Sequence, residues 1–417
     1  MLIIMLLKII YISIFLIVYV YLWKFMRNIE LKIIYNFFII FFYIGGGISS
    51  LLIDYTDIVM PQSGIKAVEL NIIGWNIYFI IIYVIPTLTL LLATKILTFR
   101  EREIKKMNLL YVYMIVFIIF IYLYITDHFN LNNILLDYES LIKNRYDLAY
   151  SYVFTFLSKV LTFILLLTIT LEYLVIINQK NTSLFMFVIS VMLYALIDLV
   201  VFSSKLYIVG FIYVYLIAIF ISYKMVFYKI FPIVLSIYII FYTSHMGQYY
   251  EIDILNVILQ GLTRFTLQTP FFIDYYMSHN FDWKFYFYST ITGNLVVSPN
   301  IKVFDLMFYN DTGLEGSLAS NIFLFNYANY GIFSILVTLF EMYILFFLYK
   351  LTVNKYFTSF NLAVFLFLCF GILNYGFLDI LLNPLNGYFL LLIMLLINNR
   401  RKEFQIKYLR GLDKCAE

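Results

Sequence analysis

Apolar runs of roughly 17 to 25 residues recur along the whole chain. At 1.5 Å of rise per residue, about 20 such residues cross a hydrocarbon core about 30 Å thick. A chain of 417 residues would otherwise suggest about two or three soluble domains. With 64% hydrophobic and only 12% charged residues, this one has too little polar surface for that. The runs are continuously apolar rather than alternating, which argues against a β-barrel. The sequence therefore reads as an all-α, polytopic integral membrane protein.

Helices are expected at about 2–23, 33–53, 70–93, 108–126, 153–177, 184–203, 206–222, 230–245, 320–349, 358–376 and 380–399. That is about eleven spans, with ten to twelve as the range. The break between the last two falls near Gly376 or at Asn383-Pro384-Leu385-Asn386-Gly387. The opening MLIIMLLKIIYISIFLIVYVYLW is too long for a signal peptide and lacks a small-x-small cleavage site, so it reads as a retained first helix. Gly45-Gly46-Gly47, in the second span, fits either a close helix contact or a break.

Charge orients the chain. Alternate connections carry KFMRNIELK, KILTFREREIKK, Lys180, YKMVFYK, Lys350 with Lys355, and the basic tail, together 19 of the 28 Lys and Arg. The opposite connections hold seven: Lys66, Lys143, Arg145, Lys205, Arg264, Lys284 and Lys302. Lys8 and Lys159 lie inside spans. Because basic loops stay in the cytoplasm, this pattern predicts an outer N-terminus and an inner C-terminus. Fourteen of the 24 Asp and Glu, and all three histidines (His128, His245 and His279), fall on the outer side. The short basic loops suit contact with anionic lipid headgroups.

Two outer connections are large, at about 127–152 and 246–319. The second opens with Ile252, Leu255, Leu259 and Leu262 on one stripe and Asp253, Asn256, Gln260 and Arg264 on another. Those spacings predict an amphipathic helix on the outer bilayer surface, its polar face ending in Arg264. Pro270 closes that region, and FFIDYYMSHNFDWKFYF follows with further interfacial aromatics.

A guanidinium offers a rigid fork of donors that binds phosphate bidentately. At headgroup level Arg264 suits the diphosphate of a lipid-linked substrate, or equally a lipid phosphate or a loop carboxylate. Tyr275, Tyr276 and Trp283 suit stacking on sugar rings as well as interfacial anchoring. Gln260 and Lys284 add polar contacts nearby. His279 and Asp274 are candidate general bases, or solvated loop groups. Arg145, in the first large loop, suits a second grip on the same diphosphate or a pairing with Asp147 or Glu139. Glu172, Asp198, Glu341, Asp379 and Lys159 lie within spans, where ionisable groups mark function or pairing. Cys369 and Cys415 suggest neither a disulfide framework nor a metal site. No nucleotide-binding glycine loop, HExxH or Cys/His cluster is present, so no cofactor, metal or nucleic-acid partner is expected.

In layout the chain resembles the bacterial O-antigen and capsular-polysaccharide (Wzy-type) repeat-unit polymerases, with many spans, short cytoplasmic loops and a dominant late periplasmic loop carrying arginine. The segment GSLASNIFLFNYANYGIFSIL (316–336) resembles the place where that family re-enters the membrane. There a run like Tyr327-Ala328-Asn329-Tyr330-Gly331 begins the next span. The family's Arg–ten residues–Gly pattern is absent: Phe156 and Tyr275 stand where glycine would follow Arg145 and Arg264. The resemblance implies glycosyl transfer at the periplasmic face. The donor would be a glycan on undecaprenyl pyrophosphate and the acceptor a lipid-linked repeat unit, with a chain-length regulator as a further partner. Arg264, and Arg145 more weakly, would carry the family's outer-loop arginine role. The alternatives are a lipid-linked oligosaccharide flippase or an O-antigen ligase. A membrane acyltransferase has only His245 as its histidine.

The orientation makes a direct prediction. In intact cells, a membrane-impermeant maleimide should label a Ser278→Cys variant. Labelling only after permeabilisation would invert the topology.

Overall fold

The computed structural model describes residues 2–52, 68–97, 104–105, 109–125, 262–263, 266–278, 321–353, 357–374 and 376–382, together with 164–165, 168, 171, 299 and 302–303. Among them the helices are α1 (Leu2–Leu22), α2 (Ile29–Phe37), α3 (Gly45–Leu52), α4 (Ile72–Phe79), α5 (Ile85–Ile96), α6 (Leu109–Ile125), α7 (Thr269–Ser278), α8 (Ile322–Tyr330), α9 (Ser334–Thr352), α10 (Ser359–Asn374) and α11 (Phe377–Leu382). Among the described residues, four stretches are long and apolar enough to cross a membrane: Ile3–Phe25, Ile29–Leu51, Ile72–Ile96 and Ile322–Leu351. The spans expected at 184–203, 206–222 and 230–245 lie outside the described residues, as do nearly all of 153–177 and 380–399. The chain divides into two compact units. One holds Met1–Phe99, Ile252–Phe347 and Leu368–Ile380, and the other holds Arg100–Glu251, Leu348–Phe367 and Leu381–Glu417.

In the first unit the N-terminal spans pack as three rods. α1 is apolar on every side, yet it has a defined inner stripe at helical spacing. Lys8, Tyr19 and Leu22 are buried along it, with Tyr11 and Phe15 half-buried between them, while Ile3, Ile10 and Ile17 are exposed on the other side. The second rod joins α2 to α3 through a π-helical stretch, Phe38–Ile44, and the third joins α4 to α5 through another, Ile80–Val84. Rings interlock along the α1 stripe. Tyr11 lies 4.4 Å from Phe79, Phe15 5.2 Å from Tyr83 and Tyr19 5.3 Å from Tyr43, measured between centroids.

Tyrosine hydroxyls then stitch the rods together. Tyr35 donates to the Tyr19 carbonyl at 2.7 Å, Tyr43 to Ile12 at 2.9 Å and Tyr78 to Gly46 at 2.6 Å. A hydroxyl in hydrocarbon has no water to turn to, so a backbone carbonyl on the neighbouring helix is its natural partner. Gly45-Gly46-Gly47 makes a close contact, not a break. A Cβ at Gly46 would collide with the Ile82 side chain, and one at Gly45 with the Leu262 carbonyl oxygen.

Asparagines set several helix starts. Asn28, Asn71 and Asn321 each accept from a backbone N–H three residues on, at 3.0, 2.8 and 3.0 Å. Asn28 does double duty: its amide also donates to the Leu97 carbonyl at 2.6 Å, tying the start of the second rod to the end of the third.

The fourth apolar stretch departs from the single helix expected at 320–349. The Asn326 amide donates to Thr338 Oγ1 at 2.8 Å, although 12 residues separate them. In a straight helix those residues would stand about 18 Å apart. The chain instead turns at Gly331, whose φ of 57° and ψ of −127° lie where glycine alone is comfortable. α8 is thus a half-helix of nine residues, about 13 Å long. It meets α9 at a sharp bend, and α9, at 19 residues, is about 28 Å long and nearly spans a bilayer by itself. The Tyr327–Gly331 run therefore ends a helix and forms a turn. The turn exposes Ile332 and Phe333, and Leu336, Phe340, Tyr343 and Phe347 continue an exposed apolar stripe down α9, a face suited to hydrocarbon. Phe323 of α8 packs on Phe38 and Phe42 of the second rod.

α10 ends at Asn374 and α11 begins at Phe377, so a break falls beside Gly376; the other expected site, at 383–387, lies outside the described residues. Leu378 of α11 packs with Tyr330 around Phe325. In the second unit, β1 (Ile104–Lys105) pairs in parallel with β2 (Phe357–Thr358). The paired residues belong to two of the basic connections, KILTFREREIKK and the one that holds Lys350 and Lys355. Tyr349 there donates to the Asn361 carbonyl at 3.4 Å and packs on Phe365.

The turn at Gly331 yields a prediction. In a background with Cys369 and Cys415 replaced by alanine, an Asn326→Cys/Thr338→Cys pair should be joined by a short bifunctional thiol reagent, and mass spectrometry should find the crosslinked peptides. A continuous helix would hold the thiols out of reach.

Candidate functional site

The residues on either side of Arg264 are built into the first unit. Thr263, Thr266, Leu267, Gln268 and Thr269 are all buried. Two successive turns compact them: the Thr263 carbonyl accepts from Thr266 and Leu267 N–H at 2.9 and 2.8 Å, and the Thr266 carbonyl accepts from Thr269 N–H at 3.0 Å. α7 starts directly afterwards. Pro270 sits in its first turn, where a missing N–H costs nothing because no partner lies in the helix. The proline therefore opens a helix, one that packs against α4 and α8.

Two contacts lock this segment to the second rod. The Thr266 hydroxyl meets that of Ser49 at 2.8 Å, and the Leu262 carbonyl sits against Gly45. The neighbouring Ser50 carbonyl accepts from Lys8 Nζ at 2.6 Å, and the same ammonium lies 3.9 Å from the Trp75 ring centroid. Lys8 is only 6% exposed. A carbonyl and an aromatic face replace part of its lost hydration. The Lys8 side chain thus lies buried beside Ser50, next in the chain to the Ser49 that holds Thr266.

Of the residues singled out in the sequence, Asp274, Tyr275 and Tyr276 are brought together on α7. Asp274 is exposed and Tyr275 half-buried. Tyr276 is 1% exposed, packed edge-on to Tyr275 at 4.8 Å and beside Phe272 at 6.3 Å. Phe271, Phe272 and Ile273 are buried as well, so much of the FFIDYY aromatic run packs inside the unit rather than at an interface. Ser278 is exposed at the end of α7, its hydroxyl donating to the Asp274 and Tyr275 carbonyls at 3.0 Å. Arg264, His279, Arg145, Gln260, Trp283 and Lys284 lie outside the described residues. So do the in-span groups Lys159, Glu172 and Asp198.

A second polar group sits within the α8–α9 bend. Asn326 also donates to Glu341 Oε2, so one amide bridges Thr338 and Glu341. All three side chains are at least 95% buried, Glu341 being 5% exposed. The Asn329 amide donates to the Phe325 carbonyl at 2.7 Å, and its Oδ1 has no hydrogen-bond partner. Sequence reading picked out Glu341 as an acid within a span but not its partner. Asparagines at 326 and 329 in an otherwise apolar helix were the available signal. Ser49 and Thr266 left none, because they are 217 residues apart.

The Ser49–Thr266 pair makes a specific prediction. Thr266→Val removes one partner of the buried Ser49 hydroxyl and should cost about 1 kcal/mol. Removing both hydroxyls in Ser49→Ala/Thr266→Val should cost less than the two single changes summed. Thermal melting of purified protein in detergent reads both effects. Strict additivity would mean the pair makes no contribution.

Compared with protein-family models, curated proteins and solved structures, the chain matches none.

Proposed function

We propose that the protein is a membrane-embedded glycosyltransferase that polymerises lipid-linked oligosaccharide repeat units at the outer face of the bacterial cytoplasmic membrane. A hydroxyl of one lipid-linked unit attacks the anomeric carbon of the growing glycan. A glycosidic C–O bond forms, the C–O bond to the lipid diphosphate breaks, and the hydroxyl proton passes to a loop base. The leaving diphosphate needs its charge met and the hydroxyl needs its proton removed. Arg264, with Arg145 as a second cation, meets the first need without a metal. His279 or Asp274 meets the second. Gln260, Tyr275, Trp283 and Lys284 hold the sugar and headgroup, while the buried Tyr276 supports Tyr275 from behind.

The observation that carries this reading is the anchoring of the chain on both sides of Arg264. Thr266 is hydrogen-bonded to Ser49, and the Leu262 carbonyl rests on Gly45. A loop tied this firmly to one end of a helix bundle suits a site that must meet a headgroup at a fixed depth, since misplacement of a catalytic group by about 1 Å can cost about 100-fold in rate. The charge distribution supports the choice of side.

A second reading, a lipid-linked oligosaccharide flippase, draws on the helix interrupted at Gly331 and the buried Glu341. Transporters place ionisable groups and broken helices near their substrate paths.

Gel analysis of surface polysaccharide after gene deletion separates the two. Loss of the ladder with single repeat units retained supports a polymerase, and loss of both supports a flippase. Within the polymerase reading, Arg264→Lys should impair ladder formation because an ammonium lacks the planar fork. A normal ladder from Arg264→Ala at wild-type protein amount would remove Arg264 from the mechanism.

A further inference from the structure

We propose that Glu341 and Asn326 are positioning residues for the polymerisation site: their buried hydrogen bond sets the angle of the α8 half-helix, and α8 in turn holds α7 and the chain leading back to Arg264. The inference rests on the polymerase reading above.

The argument starts from the turn. Gly331 makes the bend possible, but a glycine sets no angle, because it is the most permissive residue. Something beyond the turn must hold α8 against α9. The described hydrogen bonds that do so centre on one amide, Asn326 Nδ2, which reaches both Thr338 and Glu341 across 12 and 15 residues. Both acceptors lie one turn apart on α9, so they form a ledge for the amide. In a dry interior such a contact is strongly directional, since neither partner has water as an alternative.

From there the path is short. α8 is buried from Ile322 to Asn329 and packs against α7. α7 begins at Thr269, directly after the turns anchored by Thr266. A change in the α8 angle therefore presses on α7 and on the anchored turn at Thr266, two positions along the chain from Arg264. Glu341 acts here as a hydrogen-bond acceptor. This distinguishes it from an acid or base that must exchange a proton.

The test exchanges donor and acceptor without changing shape. Glu341→Gln keeps an acceptor oxygen and should retain the ladder. Asn326→Asp replaces the amide that reaches both Thr338 and Glu341 by a second carboxyl, which meets Glu341 only by sharing a proton or repelling it, and should reduce ladder per molecule of protein about tenfold. The Asn326→Asp/Glu341→Gln double variant rebuilds the pair with its roles reversed and should restore the ladder. Thiol accessibility of a Ser278→Cys label on α7, measured in the same variants, should change with Asn326→Asp and recover in the double variant. A merely stabilising role would lower protein amount and leave both per-molecule readouts unchanged.

Loss of the ladder in Glu341→Gln would overturn the proposal in favour of proton chemistry at Glu341. So would a full ladder in Asn326→Asp, or a double variant no better than the single one. Failure of all three variants to accumulate would also overturn it, by making the pair a requirement for folding alone. The polymerase reading fails separately, if deletion of the whole gene leaves the ladder intact.

Discussion

The bilayer interior offers no water, so a buried hydroxyl, amide or charge gains most by finding its partner within the protein. Much of the architecture follows. Tyr35, Tyr43 and Tyr78 reach across to carbonyls of neighbouring helices, so side chains that bring bulk also tie the rods together. Lys8, buried in the first span, rests its Nζ on the Ser50 carbonyl and the Trp75 ring. Asn326 draws Thr338 and Glu341 together and bends what would otherwise be one long helix. In water each of these contacts would be worth little, because solvent competes for the same groups.

Close approach is the second theme. Gly45 and Gly46 leave room for the Leu262 carbonyl and for Ile82, so the second rod meets both the third rod and the 262–278 segment at short range. Without a hydrophobic drive between helices, small residues that admit close van der Waals contact are a main source of association in membranes. The same glycines that let the rods pack also let the loop enter, which couples helix packing to the placement of the segment beside Arg264.

The aromatic content takes on a clearer meaning in this light. Rings from α1 interleave with rings from the second and third rods, and the residues of α7 that read as interfacial are largely packed inside. Periodicity identified 271–276 as apolar and aromatic. It could not say whether those rings face lipid headgroups or protein, because both environments favour the same residues.

What the sequence determined by itself was the helical membrane character, the N-terminal spans, the alternation of basic connections and the weak point at Gly376. These rest on local quantities: run length, hydropathy and charge. Only the tertiary structure decided that the 320–349 stretch bends sharply at Gly331, that the glycine triplet is a contact, and that Thr266 belongs beside Ser49. Hydropathy is blind to direction, so an apolar stretch reads the same whether it runs straight or bends. The bend depends on Asn326 meeting residues 12 and 15 positions later, and the loop's anchor on a pair 217 positions apart. Such pairings exist only once the chain has folded, because they are set by the three-dimensional approach of helices and not by any local pattern.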